Sequence, residues 1–327
     1  MSDVITMIPV TVLTGFLGAG KTTLLQRVLT EQHGQKIAVI ENEFGAESID
    51  NELLVQAAGE QLVEMNNGCI CCTVRGDLSR ILKELHEKRA AGTAKFERVI
   101  IETTGMANPG PVAQTFFMDE FVADHYLLDA VITVVDAKHG MQTLDTQDEA
   151  QAQVAFADRL LVSKRDLVSE AEFATLKQRL VQMNPRAPVT PVDFGKVDIK
   201  DILDIRGFNL NAVLDISPEF LTSDAHTHDD AVKSFVFQSD RAFDGTKFEE
   251  FMSAITQVYG NDMLRYKGVL WLHGLERRMV FQGVHMMMGA DAGKPWAKGE
   301  KKSSKMVFIG RAMPEKTIVE GLKQCLR

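Results

Sequence analysis

The chain has 327 residues, 45% of them hydrophobic and 25% charged, an ordinary globular composition whose length suits about two domains. Its formal charge of −9 argues against broad binding to the phosphate backbone of DNA or RNA. No stretch approaches the roughly 20 apolar residues of a membrane span and the start lacks a secretory leader pattern, so a cytoplasmic protein with neither nucleic acid nor membrane as partner is expected.

The first element is a strand, Val10-Thr11-Val12-Leu13, running into Gly15-Phe16-Leu17-Gly18-Ala19-Gly20-Lys21-Thr22-Thr23. This fits the phosphate-loop pattern G-x-x-x-x-G-K-[ST] between a strand and a helix. Gly15, Gly18 and Gly20 let the backbone turn so that successive N–H groups face one anion. Lys21 reaches the β- and γ-phosphates in such loops, and a hydroxyl at the position of Thr22 takes one place on Mg²⁺. The helix that follows, Lys21 to about Gln32, adds the partial positive charge of its N-terminus. A nucleoside triphosphate is the expected ligand, its cradle running from Gly15 through Ala19 to Thr23.

A second strand, Lys36–Ile40, ends in Glu41-Asn42-Glu43-Phe44-Gly45 and is expected to lie beside the first. Ligands bind at the carboxyl ends of parallel strands, although an acidic pair is equally at home in a solvated loop. Residues 46–60 read as a polar loop and Gln61–Met65 as a third short strand, leading into Asn66-Asn67-Gly68-Cys69-Ile70-Cys71-Cys72. A helix from Gly76 to about Ala91 follows, with apolar residues at Leu78, Ile81, Leu82 and Leu85. Next comes the strand Arg98–Glu102, opening into Thr103-Thr104-Gly105. A carboxylate ending a hydrophobic strand beside a phosphate loop is where Mg²⁺ is held, so Glu102 joins Thr22 as an expected Mg²⁺ partner. Gly105 can bring its N–H close to the γ-phosphate.

Further strands are expected at Ala130–Asp136, Arg159–Ser163 and Pro188–Val192, with helices at Glu149–Asp158 and Glu170–Gln182. Alternation of strands and helices implies a doubly wound, mainly parallel α/β sheet over residues 1–216. Residues 217–232 read as a linker, in which His226 and His228 sit among aspartates. From 233 to 327 the rhythm changes to that of a smaller α+β domain with an antiparallel sheet: strands near 234–240, 268–272, 279–284 and 305–311, and helices at 245–258 and from Pro314. Within it, Met286-Met287-Met288 suits packing or a flexible contact surface. Trp296, beside a Lys-rich stretch, suits a partner contact or a domain seam.

Ser163-Lys164-Arg165-Asp166 stands at a strand end and has the form of a guanine-reading motif, [Asn/Thr/Ser]-Lys-x-Asp. The Asp166 carboxylate accepts from guanine N1–H and N2–H₂, whereas adenine offers an acceptor at N1 and would leave it unpaired. GTP is therefore favoured over ATP, with the Lys164 stem along the base plane. Ser163 in place of Asn loses an amide that would tie this loop to the phosphate loop.

Three of the chain's four cysteines lie at Cys69, Cys71 and Cys72. Thiolates favour Zn²⁺, Cu(I) or iron over Mg²⁺ and Ca²⁺. Three sulfurs with one carboxylate from Glu41 or Glu43 make a tetrahedron that Zn²⁺ accepts. Cys325 reads as a packed or surface thiol.

Gly15–Thr23, Glu41–Gly45, Gly68–Cys72, Glu102–Gly105 and Ser163–Asp166 occur in the order found in the CobW-type family of metal-handling GTPases, which the sequence resembles over nearly its whole length. The C-x-C-C motif within a phosphate-loop protein is the most specific part. The resemblance implies slow GTP hydrolysis coupled to binding a transition metal, usually zinc or cobalt, with nickel enzymes served by some relatives, and to its delivery to a client metalloprotein. Many relatives carry Glu directly after the Phe-Gly pair; here that position is Ala46, and the linker lacks a long His-rich tract. No Gln is recognisable as a water-positioning residue, which leaves Lys21, Glu41, Glu43 and Glu102 as the catalytic candidates. Two other readings stand beside this one: a nucleotide-gated protein-binding regulator with a structural zinc site, and an ATP-dependent kinase or ligase. Self-association governed by nucleotide or metal is compatible with any of them.

Overall fold

The computed structural model describes residues 7–31, 34–41, 62–64, 74–199, 202–208 and 231–327. These fall into two compact units. The first takes in residues up to Gln153, Ala157–Leu176 and Val189–Gly207; the second gathers Val154–Phe156, Lys177–Pro188 and the chain from Phe208 onward. Of the expected linker, residues 217–230, with His226 and His228, lie outside the described residues.

The first unit is built on seven strands: β1 (Ile8–Gly15), β2 (Ile37–Glu41), β3 (Leu62–Glu64), β4 (Arg98–Glu102), β5 (Tyr126–Asp136), β6 (Arg159–Ser163) and β7 (Val189–Pro191). Their order is β3-β2-β4-β1-β5-β6-β7, and every pairing is parallel. The central strands are near-continuous apolar runs, the pattern of a sheet covered on both faces: Val10, Val12, Val99, Ala130, Val131 and Ile132 are all fully buried. Helix α1 (Lys21–Thr30) covers one face through Leu24, Leu25 and Val28, which pack with Leu13, Val39, Ile100 and Ile132. Each such side chain contributes about 1.5–3 kcal/mol relative to exposure. Helix α2 (Val74–Ala90) buries Leu78, Ile81, Leu82 and Leu85, the stripe anticipated from its spacing.

One expected neighbour relation is corrected. Strand β2 lies not beside β1 but one strand away, because β4 intervenes and pairs with both. On the two sides of β1 the strand order runs out in opposite directions, which opens a crevice at the carboxyl ends.

Three helices had no sequence expectation: α3 (Pro109–Met118), α4 (Glu120–His125) and α5 (Gly140–Thr146). The first is apolar on most faces and starts with Pro-Gly-Pro, so no helical period shows; its start is set by Asn108, whose side chain accepts from the Gly110 N–H at 2.9 Å. Asp119 likewise accepts from the Val122 N–H at 3.0 Å and opens α4. Helices α6 (Asp148–Phe156) and α7 (Glu170–Met183) fall within two residues of expectation.

The second unit holds β8 (Val232–Ser239), α8 (Gly245–Tyr259), β9 (Arg265–Leu270), β10 (Arg277–Val284), β11 (Met287–Pro295), β12 (Ser304–Arg311) and α9 (Glu315–Gln324). Its sheet is ordered β11-β10-β9-β12-β8 and is antiparallel throughout. An aromatic core fills it, with Phe235 and Phe308 stacked at 5.0 Å. Strand β11 is an addition: Met287 and Met288 begin it, and Met286 is exposed in the turn before it. Trp296 sits half-buried under the Arg278 guanidinium at 4.5 Å. Cys325 is a buried free thiol whose burial pushes its pKa up. Among the described residues no helix is long and apolar enough to cross a membrane.

Candidate nucleotide site

The site collects at the carboxyl ends of β1, β4, β5 and β6. Strand β1 delivers Gly15 directly against β5: a Cβ there would lie 2.3 Å from the Val134 carbonyl oxygen, so no side chain fits. The loop turns back on itself through the Ala19 N–H to Phe16 O bond of 3.1 Å. Gly18 and Gly20 take φ of 72° and 98°, in the left-handed region that glycine enters freely, and Gly20 is the residue from which α1 starts. Lys21 is buried, and its ammonium lies over the loop, donating to Gly15 O at 2.9 Å and Phe16 O at 3.4 Å. Its charge is therefore fixed at the loop's centre. Thr22 is half-buried and Thr23 exposed one position further along the helix.

From β4 comes the buried Glu102, whose Oε1 accepts from the Thr22 hydroxyl at 3.2 Å. A hydroxyl and a carboxylate at this separation, both hard oxygen donors, suit Mg²⁺. Beyond Glu102 the chain is held by Thr103, whose backbone N–H bonds Leu13 O at 2.9 Å and whose hydroxyl bonds Thr14 Oγ1 at 2.8 Å. Gly105 then passes over the phosphate loop so closely that a Cβ would fall 2.6 Å from the Leu17 nitrogen. Gln153 of α6 fixes this turn, donating to Gly105 O and Ala107 O, each at 3.0 Å.

From β6 come Ser163, Lys164 and Asp166. The Ser163 hydroxyl reaches Ala19 O at 2.7 Å and Val135 O at 3.3 Å, so the tie between this loop and the phosphate loop, expected to be lost with Asn absent, is made by serine. Lys164 adopts φ 54°, and its ammonium bonds Asp136 Oδ2 at 2.7 Å. Asp166 is exposed in the short 3₁₀ turn Arg165–Leu167, and makes no ion pair or hydrogen bond among the described residues.

Asp136 and Gln153 had no assigned role in the sequence. Asp136 could have been noticed as the carboxylate ending Val134-Val135-Asp136, as Glu102 ends its own strand. Gln153 had no such signal.

Glu41, half-buried at the end of β2, is the Cα partner of Glu102 on β4 and of Glu64 on β3. Three neighbouring strands thus end in glutamate at one register level. Glu43, Cys69, Cys71 and Cys72 lie outside the described residues, and among the described residues no three His, Cys, Asp or Glu side chains converge on a metal position.

A family model described as "CobW/HypB/UreG, nucleotide-binding domain" matches residues 9–191, and one described as "Cobalamin synthesis protein cobW C-terminal domain" matches residues 232–326. The chain belongs to the CobW/HypB/UreG family. Over 312 residues it is 44% identical to a protein of Escherichia coli named zinc chaperone YjiA, covering 95% of this chain and 96% of the relative. A protein of Pseudomonas aeruginosa named zinc chaperone CobW is 30% identical over 355 aligned positions, covering 98% and 92%. The crystal structure of Zn(II)-bound YjiA GTPase from E. coli superposes with a TM-score of 0.82 at 38% identity, covering 98% of this chain and all of that one. The CobW-type resemblance read from the motifs is thereby borne out, as is the fold class: a phosphate-loop parallel sheet followed by an antiparallel α+β domain.

Proposed function

We propose that this CobW-family GTPase couples slow hydrolysis of GTP to the binding of a transition metal, zinc foremost and Co²⁺ or Ni²⁺ as alternatives, and to its transfer to a client metalloprotein. The observation that carries the proposal is the row Glu64–Glu41–Glu102 at one level of the sheet. Strand β4 runs on from Glu102 to the Gly105 turn over the phosphate loop. In sequence, Glu43 follows Glu41 by two residues. Strand β3 ends five residues before Cys69-x-Cys71-Cys72. The segments that would sense the γ-phosphate and those that would hold the metal thus start from adjacent positions. Ordering of one by GTP changes the geometry offered by the others, as γ-phosphate contacts do in GTPases generally. Coupling of this kind is reciprocal, so metal changes nucleotide affinity by the same factor.

In this reading Gly15–Thr23 hold the phosphates, Lys21 neutralises charge developing on the β- and γ-oxygens, and Thr22 with Glu102 would hold Mg²⁺, which supplies further charge neutralisation when bound. Asp166 reads guanine. Glu41 or Glu43 orients the attacking water, and turnover is slow because no arginine finger serves the γ-phosphate in this reading. Cys69, Cys71 and Cys72 with Glu41 bind the metal as cargo. That relatives bear the name zinc chaperone supports zinc as that cargo.

The experiment is zinc affinity by competition with a chromophoric chelator, for wild type and the double variant Cys71→Ser/Cys72→Ser. Each is measured without nucleotide, with GDP, and with a non-hydrolysable GTP analogue plus Mg²⁺. Cysteine-dependent affinity that differs between nucleotide states is expected, and the ratio gives the coupling directly. Zinc binding indifferent to nucleotide overturns the switch and leaves a GTPase with a structural metal site.

A further inference from the structure

The base-reading loop contains a strained residue and a carboxylate placed to hold it. Lys164 has φ 54°, a left-handed conformation that costs a side-chain-bearing residue about 1–3 kcal/mol and persists only where its surroundings enforce it. Two ties enforce it here. Ser163 on its N-terminal side is bonded to Ala19 O of the phosphate loop at 2.7 Å. The Lys164 ammonium is bonded to Asp136 Oδ2 at 2.7 Å. Asp136 ends β5 as the register partner of Ser163, and its side chain is only 11% exposed. The carboxylate is itself locked in place. Its Oδ1 accepts from the Lys138 N–H at 2.8 Å and the His139 N–H at 3.3 Å, and its Oδ2 lies 3.0 Å from His139 Nδ1. Burial alone would push the Asp136 carboxyl up; the bonds from Lys164, from His139 and from the two backbone amides outweigh it and hold the group below the usual carboxylate value. It is an anion at neutral pH. Directly after Lys164 the Leu167 N–H bonds Lys164 O at 3.1 Å, closing the turn that presents Asp166 to solvent.

We infer that Asp136 is a positioning and base-specificity residue: by clamping Lys164 it sets the turn carrying Asp166, and so determines how well guanine is distinguished from adenine. The inference rests on the assignment of Asp166 to guanine made above. The phosphate loop has its own internal bonds and does not depend on this clamp. Loss of the clamp should therefore weaken recognition of the base and spare recognition of the phosphates. A residue that merely supported the fold would weaken both.

The test uses the full chain and fluorescently labelled GDP and ADP, with inorganic tripolyphosphate as a competitor that has no base. Asp136→Ala is expected to lower GDP affinity about tenfold, which is 1.4 kcal/mol, while leaving ADP and tripolyphosphate binding within twofold of wild type. In a Lys164→Met background, adding Asp136→Ala should change GDP affinity by less than twofold, because the partner it acts through is already gone. Asp136→Asn, which keeps the shape and one acceptor but no charge, should fall between. Wild-type GDP affinity in Asp136→Ala, or an equal loss for GDP, ADP and tripolyphosphate, or full additivity with Lys164→Met, overturns the inference. A wild-type protein with no preference for GDP over ADP is a different failure: it removes the guanine assignment itself, and this inference with it.

Discussion

The parallel sheet carries charged side chains at both ends, and the two ends treat them differently. At the carboxyl end Lys21 leans on backbone carbonyls, Glu102 accepts from the Thr22 hydroxyl, and Asp166 faces solvent. At the amino end Arg98, the first residue of β4, is 2% exposed and pairs with Asp129, itself 3% exposed, at 2.9 Å. It bonds Asp204 as well, and reaches Thr11 Oγ1 at 3.4 Å and Gln35 Oε1 at 3.3 Å. Asp129 sits where the β1–β5 register slips, between Leu128 and Ala130. Such a bulge re-aims a side chain out of the regular alternation. Its other oxygen accepts from the Arg206 N–H at 2.8 Å. Charges that satisfy one another hold a fold in register. At the carboxyl end, Lys21 and Glu102 instead rest on backbone carbonyls and a neutral hydroxyl beside the phosphate loop.

That contrast can be broken most severely at the amino end. Arg98→Met should cost about 3–5 kcal/mol, because it strands the Asp129 carboxylate in the core. The double variant Arg98→Met/Asp129→Leu should regain at least half of that in urea titrations, and both should hydrolyse GTP normally wherever they remain folded. At the carboxyl end the signs reverse. Lys21→Ala should lower GTP turnover about 100-fold or more, by removing a fixed charge from the γ-phosphate position, while the unfolding midpoint moves little. A smaller effect tests the join between the two loops. Ser163→Ala removes one hydrogen bond of about 0.5–1.5 kcal/mol, so nucleotide dissociation should speed up several-fold, with a smaller loss of guanine preference than Asp136→Ala causes. The smallest effect lies outside the nucleotide site, at His86. Its pKa is lowered from 6.5, first by burial, then by His125 and Arg89, with Glu87 opposing, and the two histidine rings lie 4.3 Å apart. A histidine harder to protonate folded than unfolded takes up protons on unfolding. Its contribution is therefore complete above pH 6.5 and shrinks as pH falls below that value. Stability should decline between pH 7 and 5.5, and His86→Phe should flatten that slope.

What could be read from the sequence was whatever is local. Gly15–Thr23 declare themselves because turn, charge and helix start lie within nine residues. The strand Arg98–Glu102 and the helix beginning at Glu170 showed their periodicity openly. The position of β2 did not, since chain order carries no record of β4 returning to insert itself between β1 and β2. Asp136 was missed because its role exists only through Lys164, 28 residues on. Helix α3, apolar on most faces, and β11, whose Gly-Ala-Asp-Ala-Gly-Lys-Pro run is poor in strand formers, lack the patterns that would announce them. The serine of the base-reading motif was underestimated because its reach depends on how near α1 starts: a Cβ on Gly20 would stand 4.0 Å from that of Ser163.

The register that aligns Glu41 with Glu102 and Glu64 bears on how such a protein can change length. Residue 41 leaves the sheet, and residue 62 rejoins it, on hydrogen-bonded neighbours, with Val39 the partner of Leu62. The stretch between is thus pinned at both ends by backbone bonds that do not depend on its length. Closing a longer excursion adds only about 0.6 kcal/mol per doubling. Insertions and deletions beyond Gly45 and before residue 62 can accumulate without moving Glu41, Glu102 or the phosphate loop, and that interval is where a reporter sequence could be spliced in.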